Sequence, residues 1–327
     1  LADAVETPRM EQEAFQHYSS VAPVPVKLQT RPWYEALWAQ VGHLAKGKTL
    51  ATDDPSAPGL VNHSAAGSVN YRLCGREFLQ LRYSLTSREI ERFRVIGKQS
   101  AIALEHVAAE VHKGNTEYQI ASLLTQKLVG LGLTPALTLV AADERAGAFR
   151  HPVPTFKTMD KYCMLVICAR GGGLVCSATR LVHFGPLPPE LRKKHDAVVR
   201  VDGELLAGSS VGARMSDLFQ IAKQAYATQG FAGEEARHHQ GGATGYLSRE
   251  YKAAPGSGEV LYPNQAVAWN PSITGTKSED TYLVAAEKGK GSGMESLECL
   301  THGDGNWPML KVEVEGKTLF RPDILVL

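Results

Sequence analysis

After residue 85 the chain settles into long stretches of helical periodicity. Thr86-Ser87-Arg88-Glu89 has the T-x-x-E form in which a threonine and a glutamate satisfy each other's orphan amides, so a helix is predicted to begin there. Phe93, Ile96, Leu104, Val107 and Val111 recur behind it at roughly helical spacing, and Gly114 offers a stop. Thr116-Glu117-Tyr118-Gln119 repeats the device and starts a second helix, with Ile120, Leu123, Leu124 and Leu128 inward and an end near Gly130. Apolar, strand-like runs follow at Ala136 to Val140, Tyr162 to Ala169 and Leu174 to Phe184, the last two joined as a hairpin by Gly171-Gly172-Gly173.

The plan then repeats. Helices are predicted from Glu190 to Leu206, after Pro188-Pro189, and from Met215 to Thr228, before Gly230. Strands are predicted around His238-His239, from Gln265 to Asn270 and from Asp280 to Ala286. Two helix-helix-strand units in series predict an α+β fold with a pseudo-twofold repeat, a curved antiparallel sheet and helices outside. Residues 1–84 read differently. A proline-rich piece from Val21 to Pro32 and a Gly/Pro/Ser/Asp stretch from Asp53 to Gly59 flank one helix candidate, Trp33 to Ala45, as in a small α/β domain.

The 327 residues carry a net charge of +1, which favours neither nucleic acid nor an acidic membrane as partner. No apolar run approaches the roughly 20 residues that cross a bilayer, and no basic-then-apolar leader opens the chain. It begins at Leu1 rather than methionine, which leaves room for a preceding segment that completes the first domain. The five cysteines, Cys74, Cys163, Cys168, Cys176 and Cys299, include no CxxC pair and read as reduced thiols, so a cytoplasmic location is expected.

Chemistry-bearing residues concentrate late in the chain. Arg237 to Glu250 holds adjacent histidines, glycines and an Arg-Glu pair; Trp269-Asn270-Pro271-Ser272 and Lys277-Ser278-Glu279-Asp280-Thr281 follow. Such groups are costly to bury without a purpose. His151, before the stiff Pro152-Val153-Pro154, is either a backbone-bonded loop histidine or an acid–base group. On a strand, His238 and His239 would face opposite sides, so at most one would enter a pocket. Arg249 suits an anionic group, or pairs with Glu250 at the surface. Glu279 suits a general base or a cation-binding carboxylate, or a strand-edge salt bridge. Cys168 is a buried thiol or a nucleophile.

His151-Pro152, Ala178-Thr179-Arg180, the glycine block around Gly245, Asn270-Pro271 and Glu279-Asp280-Thr281 occur in an order that resembles the pita-bread superfamily of creatinase, prolidase, aminopeptidase P and methionine aminopeptidase (peptidase family M24). The resemblance covers about residues 85–327, with 1–84 resembling a shortened creatinase/prolidase N-terminal domain. It implies a pita-bread domain and pairing into a homodimer. Enzymes of the superfamily hold two metal ions with two Asp, one His and two Glu. Carried onto this chain, those positions fall on Cys168, Ser177, Gly242, Asn270 and Glu279, so only the last ligand survives. Two hard cations need several anionic oxygens, and neither metal nor other cofactor is therefore expected. A lone zinc on Cys168, Glu279 and one histidine is a lesser possibility.

By the same resemblance, His151 matches a substrate-contacting histidine that acts in metal-free creatinase, and His238 matches the histidine before the metal-binding one. The resulting expectation is a metal-independent, creatinase-like hydrolase of a C–N bond in a small molecule or short peptide. His151, His238 and Glu279 are its expected catalytic groups. Cys168, His239, Tyr246, Arg249, Glu250 and Asn270 are its expected substrate contacts. The alternatives are a non-catalytic pita-bread protein that binds a ligand or peptide, as a FACT subunit domain does, and an Xaa-Pro aminopeptidase with rearranged ligands.

Overall fold

A computed structural model describes residues 1–15, 27–57, 59–60, 69–285, 297–314 and 316–327. Residues 21–26 of the proline-rich piece, residue 58 of the glycine/proline stretch and residue 286 of the last expected strand lie outside the described residues. The chain divides into two compact units, Leu1–Leu81 and Arg82–Leu327, against an expected boundary after residue 84.

In the first unit, parallel two-stranded pairs join Ala2–Asp3 to Thr30–Arg31 and Thr49–Thr52 to Asn70–Leu73. Helices run over Leu37–Ala45 and Arg76–Gln80. The helix expected from Trp33 starts later because a turn comes first, with Glu35 N–H donating to the Pro32 carbonyl (3.2 Å).

The second unit opens with two capped helices, α1 (Ser87–Glu110) and α2 (Glu117–Gly130), and both capping boxes are formed. They cover a sheet of β1 (Thr134–Ala142), β2 (Tyr162–Gly171) and β3 (Leu174–His183), antiparallel in that order. Gly172 and Gly173 turn the β2–β3 hairpin at φ 50° and 88°, a backbone region that glycine adopts readily. Next come α3 (Pro189–Gly208) and α4 (Met215–Thr228). The second set of strands is β4 (Gly241–Thr244), β5 (Tyr251–Lys252), β6 (Gln265–Trp269), β7 (Ser272–Ile273), β8 (Thr276–Lys277), β9 (Asp280–Val284) and β10 (Leu297–Cys299). The hairpin β11 (Met309–Val314) with β12 (Lys317–Pro322) follows, and β13 (Ile324–Val326) pairs in parallel with β3.

The second sheet has the order β10-β9-β6-β4-β5, antiparallel throughout. The two sheets meet along β3. Thr179 N–H donates to the Glu279 carbonyl (3.1 Å), Val175 N–H to that of Gly245 (2.8 Å), and Ser177 N–H to Thr281 Oγ1 (2.9 Å). Each helix pair buries its apolar stripe on its own sheet. Phe93, Leu104, Ile120, Leu124 and Leu128 pack on Leu165 and Ile167, and Val198, Leu205, Leu218 and Tyr226 pack on Val267 and Trp269. The result is a pita-bread fold with the predicted pseudo-twofold plan.

Beneath the junction lies a buried charge network. Arg180 reaches Glu105 (2.8 Å) and Asp280 (3.0 Å), while Arg321 reaches Asp202 (2.6 Å) and Asp280 (3.1 Å). Asp280 thus serves two buried guanidinium groups. We expect Asp280→Asn to destabilise the protein by about 3–5 kcal/mol, the usual result of stripping one partner from a buried ion pair. Urea denaturation measures this, and a loss below 1 kcal/mol would contradict it.

His195, on α3, is buried between Thr276 Oγ1 (2.8 Å) and the Pro322 carbonyl (3.2 Å). Burial, then the charge of Arg192, push its imidazole down to about 4, against partial support from Asp323. The unfolded chain takes up this proton near pH 6.5, so the native state loses stability as pH falls from there towards 4. Unfolding midpoints measured across that window should fall for the parent and fall less for His195→Gln. Equal slopes would remove His195 as the cause.

Candidate active site

A hollow of about 150 Å³ opens where β1, β2 and the second sheet converge, bordered by Leu137, Leu139, Cys168, His151, His239, Ser248, Arg249, Asn270, Lys277 and Glu279. Glu279 directly precedes β9, and its two oxygens are fully engaged. Oε2 takes Lys277 Nζ (2.6 Å) and Thr179 Oγ1–H (2.7 Å), and Oε1 takes Arg249 Nη2 (3.3 Å). Burial works to raise this carboxyl, but the charges of Lys277 and Arg249 outweigh it and hold it below the usual range. Where a general base or a site for a substrate cation was expected, Glu279 anchors two of the protein's own cations.

The histidines gather at one edge. His151, on the loop after the short helix Arg145–Ala148, has Nε2 3.1 Å from Nε2 of buried His238. The His238 and His239 rings lie 4.5 Å apart and inclined by 31°. Their expected placement on opposite faces of a strand does not hold, because β4 begins only at Gly241 and both precede it on irregular backbone. His239 borders the hollow, while His238 backs onto His151. Burial, followed by Lys277 and then His239, pushes the His238 imidazole down to about 2. Burial and Arg249 push that of His239 down to about 4, and burial and Lys277 also lower His151. At neutral pH all three are uncharged.

A scaffold behind the cluster fixes its geometry. Ser272 Oγ lies 3.2 Å from His238 Nδ1 and accepts from Arg150 Nη1 (2.9 Å). Arg150 also pairs with Glu234 and donates to Thr274 Oγ1 (3.0 Å). Asn270 Oδ1 and Arg249 Nε are buried without hydrogen-bond partners. Both residues border the same hollow, as does His239, whose Nδ1 is likewise buried without a partner, so its walls hold one unused amide acceptor, one unused guanidinium donor and one unused ring nitrogen.

Two expected substrate contacts lie elsewhere. Glu250 turns away from its neighbour Arg249 to pair with Arg82 (2.8 Å) and to accept from Leu247 N–H (3.1 Å). Tyr246 donates to Glu89 at the start of α1. Both serve local packing of the loop after β4. Cys168 does border the hollow, but burial, then the Glu279 charge, raise its thiol, and it lies 3.2 Å from Ser177 Oγ. It is a neutral wall residue and a poor nucleophile. All five cysteines are free thiols. Sequence reasoning missed Lys277, although Lys277 and Glu279 are two residues apart, the spacing that puts extended residues on one face.

Four of the five positions that match the superfamily's metal ligands converge. Cys168 and Ser177 are cross-strand partners, and Cys168, Asn270 and Glu279 border one hollow. Their chemistry does not fit two divalent ions. Glu279 is the only carboxylate of the five, and a buried ammonium and a guanidinium already neutralise it. A side chain at Gly242 has no room either, since a Cβ there would stand 2.2 Å from the Tyr251 carbonyl oxygen. The lone-zinc arrangement on Cys168 and Glu279 fails for the same reason.

The fold is of the pita-bread class. The model of metallopeptidase family M24 matches residues 91–294, and the chain belongs to that family. No curated protein matches it in sequence. Among solved structures, an X-Pro aminopeptidase from Thermotoga maritima superposes with a TM-score of 0.76 at 18% identity, covering 100% of this chain and 86% of that one. A prolidase from Thermococcus sibiricus gives 0.76 at 16% identity, with 100% and 83% covered. The N-terminal domain of a FACT complex subunit from Cicer arietinum gives 0.68 at 10% identity, with 92% and 80% covered. At these identities the structural likeness speaks for the fold alone. Among the described residues, no helix is long and apolar enough to cross a membrane.

Proposed function

We propose that the chain hydrolyses an amide-type C–N bond in a small, peptide-like substrate without the paired metal ions of its family. The observation that carries this reading is the convergence of two fixed cations, Lys277 and Arg249, with neutral His151 and His239 on one hollow. Developing negative charge on a carbonyl oxygen is commonly stabilised by preorganised donors and cations. Here Arg249 and Lys277 take that role, and Glu279 holds them in place.

In this reading His151, which borders the hollow with His238 behind it, accepts a proton from water, and the resulting hydroxide adds to the carbonyl carbon. The proton then passes to the leaving nitrogen as the C–N bond breaks. The unused acceptor of Asn270 and donor of Arg249 match the N–H and C=O of an amide. The hollow is smaller than the roughly 300 Å³ of ordinary drug-sized pockets, so it accommodates only the reacting end of a ligand. A carboxylate on that end would gain from the excess positive charge.

A screen of dipeptides, including X-Pro, and of small amides, in the presence of chelator, tests the proposal. We expect hydrolysis of at least one class, reduced by ~100-fold or more in His151→Ala, the usual scale for losing an acid–base group. Lys277→Met should also reduce it. Turnover that disappears with chelator and returns with manganese or zinc would restore the metallopeptidase reading.

A second reading is retention of ligand binding without chemistry. The full engagement of Glu279 by Lys277, Arg249 and Thr179 favours it, because no carboxylate is left to activate water. Saturable binding of a dipeptide with no turnover would select it.

A further inference from the structure

His151, His238 and His239 can each supply one ring nitrogen such that all three lie within 4.8 Å of one another. Among the described residues this is the single group of three or more His, Cys, Asp or Glu side chains so placed. We propose that the three imidazoles form a mononuclear site for a borderline transition-metal ion such as Zn²⁺, apart from the five positions matching the family's dinuclear centre.

Geometry supports it first. Two nitrogens at about 2.0–2.1 Å from a tetrahedral ion stand roughly 3.4 Å apart. His151 Nε2 and His238 Nε2 are already 3.1 Å apart, and a ring nitrogen of His239 lies within 4.8 Å of both. An outer sphere is also present. Ligating histidines usually hold their second nitrogen in a hydrogen bond that fixes tautomer and orientation. Ser272 Oγ stands 3.2 Å from His238 Nδ1 while accepting from Arg150, a contact that orients the ring; with the proton on Nδ1, Nε2 presents its lone pair to an ion. His239 Nδ1 is buried with no partner, an unsatisfied nitrogen that a metal ion or a rotated ring would satisfy.

The charge balance sets the kind of ion. Three neutral nitrogens provide no negative charge, and Lys277 and Arg249 stand nearby with Glu279 between them. Mg²⁺ and Ca²⁺, which require oxygen ligands, are excluded by the donor set, whereas Zn²⁺, Co²⁺, Ni²⁺ and Cu²⁺ accept imidazole. His151 and His239 border the hollow, so the fourth coordination position opens towards it. An ion held there would occupy the imidazole that acts as base in the proposed hydrolysis, so loading the site is expected to inhibit that metal-independent reaction rather than to catalyse it.

The test is titration of the chelator-stripped full chain with Co²⁺, read by the visible absorption of four-coordinate cobalt. We expect saturation at one equivalent per chain, displacement by Zn²⁺ and no competition from Mg²⁺. His239→Asn and His151→Asn should abolish the signal in chains whose circular dichroism matches the parent, and Ser272→Ala should weaken binding by roughly 10–100-fold. Absence of saturable binding in the parent would overturn the proposal. So would a signal that survives both histidine changes but is lost in Glu279→Gln, since the ion would then sit on the carboxylate.

Discussion

One pair of residues, Thr179 and Glu279, ties the two halves of the domain to its hollow. Thr179 gives its backbone N–H to the Glu279 carbonyl and its hydroxyl to the Glu279 carboxylate. The first bond joins the two sheets, and the second aims a buried anion at the hollow between them. Lys277 and Arg249 then gather on that anion, and burial, reinforced by their charge, holds the neighbouring imidazoles below their ordinary range. Sheet closure and site electrostatics therefore share a single residue. Its chain neighbour Asp280 performs the matching task in the other direction, joining Arg180 and Arg321.

In the proposed reading, this arrangement sets fixed cations where enzymes of the family hold metal ions. The family's paired ions can leave and be replaced, whereas an ammonium and a guanidinium are covalently part of the chain. Buried ion pairs lose much of their Coulombic gain to desolvation, so Lys277 and Glu279 contribute more to definition than to stability. What they define is a small hollow of positive sign with one unused guanidinium donor, one unused amide acceptor and one unused ring nitrogen on its walls. The histidine cluster sits at its rim as a separate chemical unit, held from behind by Ser272, Arg150 and Glu234.

Most of the architecture was legible in the chain because its signals are local. The boxes at Thr86 and Thr116 set both helix starts, and Met215–Thr228 is observed with the expected bounds. Residues whose placement depends on loop geometry were not legible. His238 and His239 were read with a strand's alternation, but the strand begins two residues past them. Glu250 and Tyr246 were grouped with Arg249 by sequence proximity, and the loop sends them to Arg82 and Glu89 instead. Lys277 was passed over because a lysine beside a glutamate usually lies on a solvated surface. Only tertiary packing reveals that both are buried.

Gly242 ties the chemistry of the site to the spacing of two strands. A β-carbon there would stand so close to the Tyr251 carbonyl that a larger residue needs β5 moved away from β4. The sequence resemblance sets this position against the superfamily's metal-binding histidine. An imidazole at this point would therefore require rebuilding a strand pair as well as changing one side chain.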